Sequence, residues 1–168
     1  ATSPPPTQLA SLVYDATRRE VVLFGGYQGN AASDATWLWD GVTWRDAAPA
    51  IAPPARVYGA MADDPRRGEV ILFGGYANDP LGDTWSWDGT TWTARAPATS
   101  PAPRLGSLLG YDGVDGTLVL LGGFVANQTN AEMWRWDGDD WSLLAAAAMP
   151  PARGYAATAF DAARHELI

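Results

Sequence analysis

Three aromatic residues each follow a Gly-Gly pair, at the start of a segment that differs in length and sequence between copies: Tyr27, Tyr76 and Phe124. An exposed aromatic ring offers a flat apolar face on which a sugar ring can stack. Variable segments on a regular scaffold are also a common position for binding residues. We therefore treat the three rings as candidate ligand contacts, with packing beside a tryptophan hairpin as the alternative. The segments that they begin are residues 27–33, 76–82 and 124–131.

Three arginines recur at a fixed position, twelve residues beyond a tryptophan and after a Pro-containing loop: Arg56, Arg104 and Arg153. An arginine repeated once per copy often bridges loops or pairs with a carboxylate of its own repeat, because the guanidinium donates paired hydrogen bonds. We prefer this structural interpretation. Thr7 takes the place of the arginine in the first copy, which weakens any ring of positive charge at this position.

Several kinds of chemistry lack the residues that they need. The chain has no Cys, which excludes disulfides, thiolate metal sites and a cysteine nucleophile. Its single histidine, His165, falls at a turn position and forms no metal site alone. No Ser-His-Asp set, phosphate loop or zinc-ligand spacing is present. The sequence therefore predicts no catalytic residue, metal or cofactor, although carboxylate pairs that cleave glycosides need coordinates to be recognised.

The composition excludes several classes of partner. The chain has 168 residues, 47% of them apolar, with a formal net charge of −8 and an isoelectric point of about 4.4. All eleven basic residues are arginines, and no segment clusters them. We therefore expect no nucleic-acid partner and no polybasic membrane contact. Membrane insertion is not expected, because no apolar stretch approaches the roughly 18 to 20 residues that a spanning helix requires.

The whole chain repeats with a period of 48 to 49 residues, and a fixed period of this kind indicates a repeat architecture. Each copy contains an apolar segment that ends in Gly-Gly and a second segment with the pattern Trp-x-Trp-Asp-Gly-x-x-Trp. The glycines of the pattern are Gly25, Gly26, Gly74, Gly75, Gly122 and Gly123. Its first and last tryptophans are Trp37, Trp44, Trp85, Trp92, Trp134 and Trp141. An acidic residue stands ten positions before each first glycine, and Asp161 begins one more copy.

One repeat predicts four short strands, which in the second copy cover about 57–62, 69–73, 84–87 and 91–94. After Glu69 the segment 69–73 is continuously apolar, as is typical of a strand buried on both faces. Asp-Gly between aromatic strands predicts a tight hairpin, in which Asp40, Asp88 and Asp137 bond their own backbone. A two-residue turn would pair the first and last tryptophans of the pattern, whereas a four-residue loop would pair the second and last.

At the Gly-Gly pair, the tryptophan strand, the following tryptophan and the Pro-Arg loop, the sequence resembles the Kelch-repeat β-propeller family. The match is to its bacterial form, with Phe-Gly-Gly and Trp-Asp-Gly-x-x-Trp, and it covers the whole chain. The resemblance implies four-stranded antiparallel blades around a central channel. We expect an all-β partial propeller with repeats at about 7–55, 56–103 and 104–152. The first two strands of a fourth repeat fall at 153–168, and blades of the same parent chain or of another copy complete the ring.

The resemblance also implies a function for the arginines. In similar Kelch domains the Pro-Arg loop lies near one mouth of the channel, where arginines of some members bind acidic peptides. We expect a non-catalytic binding or structural scaffold that presents loops to a protein or a glycan, within a larger secreted or cell-surface bacterial protein. The alternative is the propeller domain of a carbohydrate-active enzyme, or of an oxidase similar to galactose oxidase, with its site in blades outside these residues.

Overall fold

The structure is a computed structural model, and it describes residues 3–145, 150–156, 158–161, 163–164 and 166–167. All the regular elements in these residues are β-strands, which confirms the prediction of an all-β fold. The strands are short because glycines, prolines and Asp-Gly turns interrupt the apolar segments.

The strands recur with the period of the sequence. The first repeat contains β1 (Thr7–Gln8), β2 (Ser11–Asp15), β3 (Glu20–Phe24), β4 (Tyr27–Gln28), β5 (Ala31–Ala32), β6 (Thr36–Trp39) and β7 (Trp44–Asp46). The second contains β8 (Ala60–Asp64), β9 (Glu69–Tyr76), β10 (Pro80–Trp87) and β11 (Trp92–Arg95). The third contains β12 (Leu108–Asp112), β13 (Thr117–Leu121), β14 (Phe124–Val125), β15 (Gln128–Thr129), β16 (Met133–Trp136) and β17 (Trp141–Leu144). They are followed by β18 (Phe160–Asp161) and β19 (Glu166–Leu167).

Each complete repeat forms one four-stranded antiparallel sheet in chain order. The first sheet is β2-β3-β6-β7, the second is β8-β9-β10-β11 and the third is β12-β13-β16-β17. The strands β18 and β19 pair with each other. The segments after Gly-Gly, which we expected to be loops, are small hairpins in the first and third repeats, while in the second β9 and β10 continue through them. The first strand of the second repeat begins at Ala60 instead of the predicted residue 57.

The tryptophan hairpins have four-residue loops. In the second sheet Trp87 pairs with Trp92, and the register is the same in the other two sheets. The predicted role of the aspartates is confirmed: Asp88 Oδ1 accepts hydrogen bonds from the backbone N–H groups of Thr90 and Thr91, both at 2.8 Å. Burial acts to raise the pKa of Asp88, but these hydrogen bonds outweigh it and lower the pKa. The open choice between two and four loop residues is thereby decided.

Successive sheets pack face to face through their tryptophans. Trp87 and Trp92 of the second sheet lie in one buried cluster with Val22, Phe24 and Leu38 of the first. Trp136 and Trp141 of the third sheet occupy the same place against the second. A buried indole removes about 200 Å² from water, worth roughly 5 kcal/mol at about 25 cal/mol per Å². These contacts therefore supply much of the free energy that holds the sheets together.

The second strand of a sheet serves two interfaces. In β9 the side chains of Val70 and Leu72 face the first sheet, while those of Ile71 and Phe73 face the third. Because neighbouring side chains of a strand point to opposite faces, burial on both sides requires an unbroken apolar run. The predicted two-sided burial of this segment is confirmed.

The first strands of the sheets lie side by side. β8 contacts β2 on one side and β12 on the other, and β12 also contacts β18 and β19. Two cavities lie between these first strands, one toward each end of the strands.

Candidate ligand-binding site

The Gly-Gly pairs hold the Pro-Arg loop of the following repeat. Gly74 and Gly75 have φ angles of +61° and +105°, which disfavour L side chains. A Cβ on Gly74 would also lie only 2.7 Å from the carbonyl oxygen of Arg104. The Gly75 N–H donates to that same oxygen at 2.9 Å. The glycines of the first and third repeats make equivalent contacts with Arg56 and Arg153.

Arg56 is buried, and its guanidinium links separate segments of the second repeat by hydrogen bonds. Its side chain is 1% exposed, and Nη1 and Nη2 donate to the two carboxylate oxygens of Asp83 at 2.6 and 2.7 Å. Nη1 also donates to Gly74 O, and Nε to Pro54 O, both at 3.0 Å. Burial acts to raise the pKa of Asp83, but the hydrogen bonds and charge of Arg56 outweigh it and lower that pKa. Trp85 completes the group by donating its indole N–H to Asp83 at 2.6 Å.

Arg104 repeats this arrangement in the third sheet. Nη2 donates to Glu132 at 2.7 Å and Nη1 to Gly122 O at 3.2 Å, and the guanidinium is fully buried. The hydrogen bond from Arg104 is the main cause that lowers the pKa of Glu132. Trp134 donates its indole N–H to the same carboxylate at 3.1 Å. The arginine, the acid and the tryptophan therefore act as one unit in both repeats.

The first repeat lacks both charged members of the unit. Thr7 replaces the arginine, and Ala35 takes the backbone position that Glu132 holds in the third repeat. The indole nitrogen of Trp37 is buried there without a hydrogen-bond partner. Arginine and acid are thus present together or absent together, as two members of a structural pair should be. The joint pattern is visible in the sequence, but only once the third strands have been aligned.

Arg153 is exposed, unlike the other two arginines. Its Nε donates to Pro151 O at 3.0 Å, and its carbonyl oxygen accepts from Gly123 N–H at 2.8 Å. The structure therefore places the guanidinium groups of Arg56 and Arg104 inside the protein with their donors occupied, and that of Arg153 at the surface. Ligand binding by the three arginines stays a prediction.

Four residues share a backbone conformation that the sequence analysis missed. Each lies two positions after Thr7 or after the arginine of a Pro-Arg loop: Leu9, Tyr58, Gly106 and Tyr155. We call them the mouth residues. Each has a φ angle between +56° and +63°. Their backbones are linked in series, with N–H groups of Tyr58, Gly106 and Tyr155 donating to the carbonyl oxygens of the preceding mouth residues at 2.8 to 3.1 Å. The signal in the sequence is their fixed distance from the Gly-Gly pairs and the glycine at 106.

The mouth residues gather aromatic rings. The Tyr155 ring centroid lies 4.9 Å from that of Tyr58 and 5.0 Å from that of Phe124. Burial and the neighbouring Tyr58 raise the pKa of Tyr155. Of the three predicted aromatic contacts, Phe124 thus joins this cluster, Tyr27 lies half-buried at an open depression of about 350 Å³, and Tyr76 is half-buried. The structure does not bring the three together as one group.

A cavity of about 280 Å³ begins directly beside the mouth residues. Ala10, Gly59, Ser107 and Ala156, which follow the mouth residues in sequence, form part of its wall. A second cavity of about 260 Å³ lies toward the other end of the first strands and is lined by Asp63 together with residues of β2, β8 and β12.

Asp63 departs from the repeat at a position where the other copies have an aromatic residue: Tyr14, Tyr111 and Phe160. Burial raises the pKa of Asp63 to about 6, with smaller effects of the charges of Asp15 and Asp64, while the Ala16 N–H and Arg18 oppose the rise. Oδ2 accepts that N–H at 3.2 Å, and Oδ1 is buried without a partner. This carboxyl group is the second feature that the sequence analysis missed, although its departure from the aromatic pattern marks it.

No protein-family model matches the chain, and a search of curated proteins finds no match. Among the described residues, no group of three or more His, Asp and Glu side chains is arranged to hold a metal ion. His165 lies outside the described residues. The same part of the chain contains no helix long and apolar enough to cross a membrane.

Proposed function

We propose that the chain is part of a Kelch-type β-propeller in which the three sheets are consecutive blades and β18 and β19 begin a fourth. Three features support this: the strands of each sheet follow chain order, successive sheets pack face to face, and the first strands β2, β8 and β12 lie side by side around a cavity. Blades of the same parent chain or of another copy complete the ring.

This propeller is a non-catalytic scaffold that presents its mouth to a protein or glycan ligand. The observation that carries the proposal is the exposed ring of Tyr155, which contacts two other rings and directly precedes Ala156, a residue of the cavity wall. Exposed rings beside a concavity on a rigid fold are typical of ligand sites. Arg56 and Arg104 beneath it hold the loops in place. The scaffold belongs to a secreted or cell-surface protein.

The intact protein, applied to glycan and peptide arrays, tests the proposal. We expect at least one class of ligand to bind, and NMR shift changes to concentrate in the rings of Tyr58, Phe124 and Tyr155. Turnover of an array compound would contradict the non-catalytic role. Binding with shift changes only at the β2–β3 and β8–β9 turns, at the opposite end of the first strands, would contradict the placement at the mouth.

A further inference from the structure

The mouth residues carry side chains where the backbone favours glycine. Leu9, Tyr58 and Tyr155 have φ angles of +61°, +58° and +56°, and Gly106 has one of +63°. An L side chain in this region brings its Cβ close to the following carbonyl oxygen, which costs free energy. Gly106 makes the same backbone hydrogen bonds without a side chain, so the backbone does not require one. Strain that the backbone does not need is a sign of a functional position.

Gly106 instead makes room for the neighbouring ring. A Cβ at this residue would lie 2.6 Å from the ring of Tyr155. The Tyr155 ring therefore lies over the glycine and packs against the rings of Tyr58 and Phe124. Tyr155 as a whole remains 56% exposed. The result is an aromatic surface that is fixed from below and open to solvent above. Such a surface loses little conformational entropy when it binds.

Three of the residues that line the cavity beside this surface carry hydroxyl groups. Ser11 Oγ donates to Gly59 O at 2.8 Å and Ser107 Oγ to Gly122 O at 3.1 Å. Each serine thereby uses its proton and keeps oxygen lone pairs that can accept a hydrogen bond from a ligand. Thr158 adds a third hydroxyl to the wall, and the volume of about 280 Å³ suits one small ring. The cavity wall is therefore suited to accept hydrogen bonds from hydroxyl groups of a ligand.

The charge of the protein limits the ligand further. The net charge of −8 disfavours polyanions. Of the three arginines in the Pro-Arg loops, Arg56 and Arg104 are buried in ion pairs, and Arg153 is the exposed one.

We propose that the mouth binds a neutral saccharide, with one pyranose face stacked on Tyr155 and its terminal hydroxyls bonded to the serines of the cavity. This inference deepens the proposed scaffold function and rests on it. The aromatic surface favours a ligand with a flat apolar face. The hydroxyl groups of the cavity favour a ligand with hydroxyl donors, and the negative charge of the protein favours an uncharged one.

Isothermal titration of the intact protein with the neutral oligosaccharide that binds best on an array tests the ligand class. Stacking on one aromatic ring is expected to account for about a tenfold change in Kd or more, so Tyr155→Ala should weaken binding by at least that factor. Tyr155→Phe keeps the stacking face and should remain within about threefold. Tyr14→Ala is the matched control, because Tyr14 is similarly exposed at 53% but lies away from the mouth, and it should bind as the parent does.

The outcomes separate this inference from the scaffold function. Equal affinity of Tyr155→Ala and the parent for the saccharide would overturn the inference. Preferential binding of uronic-acid saccharides or of peptides, lost in Tyr155→Ala, would overturn the ligand class while supporting the scaffold function. Failure of every glycan and peptide to bind would overturn both. Circular dichroism and the Tm of each variant establish that the fold is intact before the affinities are compared.

Discussion

The contact zones between sheets and the lining of the cavities follow opposite rules. In the contact zones the same pair recurs with nearly the same geometry: the ring centroids of Phe24 and Trp92 are 5.1 Å apart, and those of Phe73 and Trp141 are 5.2 Å apart. The indole N–H groups of these tryptophans donate to threonine hydroxyls of the preceding sheet at 2.9 and 3.0 Å. Equal sheets that pack on one another need equal surfaces, so this region repeats.

The mouth residues and the cavity lining change from copy to copy. The mouth position holds Leu, Tyr, Gly and Tyr in turn, and the position of Asp63 holds an aromatic residue in the other repeats. Packing between sheets does not require these differences, because the sheets associate in the same way on both sides of the second one. The comparison teaches that regular positions build the scaffold and irregular ones differentiate it, and the following predictions test this separation.

The largest effect is expected in the contact zone at the Gly-Gly pair. Replacing Gly74 and Gly75 together with Val puts side chains at positive φ and against the carbonyl oxygens of Arg104 and Val57, each 2.7 Å from a Cβ. We expect folding to be lost, with a cost above about 4 kcal/mol. Near-ultraviolet circular dichroism measures the loss of packed tryptophans.

Gly29→Val is the matched control for this prediction. Gly29 also has a positive φ, of +65°, but its Cβ would meet no atom within 4 Å. This variant isolates backbone strain, about 1 to 2 kcal/mol, from collision. A soluble double variant with the parent spectrum would show that the pair does not hold the sheets.

The buried arginines are expected to have the next largest effect. Arg104→Met leaves the carboxylate of Glu132 without its guanidinium partner and removes the buried donors to the carbonyl oxygens of Gly122 and Ala102. We expect a loss of about 2 kcal/mol of unfolding free energy, because buried carbonyl oxygens lose a donor while the Glu132 side chain is 42% exposed. Denaturant unfolding followed by tryptophan fluorescence measures it.

Arg153→Met serves as the control at the equivalent position, because that guanidinium is exposed. A change within about 0.5 kcal/mol is expected there. Equal losses of unfolding free energy at the two positions would mean that burial of the guanidinium does not decide its contribution to stability. The distinction between the buried arginines and the exposed one would then fail.

The regular region could be predicted from the sequence, and the irregular region could not. The Gly-Gly pairs, the tryptophan hairpins and the run at 69–73 each recur three times, so a local pattern reports a local structure. The acids that pair with Arg56 and Arg104 lie 27 and 28 residues further along the chain, Asp83 within β10 and Glu132 directly before β16, and only the folded sheet brings each acid to its arginine. The left-handed backbone of Tyr58 and Tyr155 was hidden for a different reason, since tyrosine gives no sign of positive φ.

A substitution of Asp63 tests the irregular region. Its expected effect on the free energy of unfolding is the smallest of the three and is stabilising, whereas the other substitutions destabilise the protein. The carboxylate of Asp63 is disfavoured in the folded protein, where its pKa is about 6, above the ordinary value of 3.8. Well below pH 3.8 the carboxyl is protonated in both the folded and the unfolded state, and it does not change the free energy of unfolding. As the pH rises toward 6, the unfolded chain ionises first, so the free energy of unfolding falls, and it stays low above pH 6.

Asp63→Asn removes this dependence and should therefore stabilise the protein at pH 7. The pKa shift of Asp63 alone would correspond to about 3 kcal/mol, but the residue is partly exposed to solvent, so we expect about 1 kcal/mol. Unfolding in denaturant at pH 4 and pH 7 measures the effect, which should be much smaller at the lower pH. Asp79→Asn, at an exposed hairpin residue, is the control and should change the stability at pH 7 by less than about 0.5 kcal/mol. A less stable Asp63→Asn protein at pH 7 would mean that the carboxylate is required by the packing, and the separation between scaffold and cavity lining would not hold at this position.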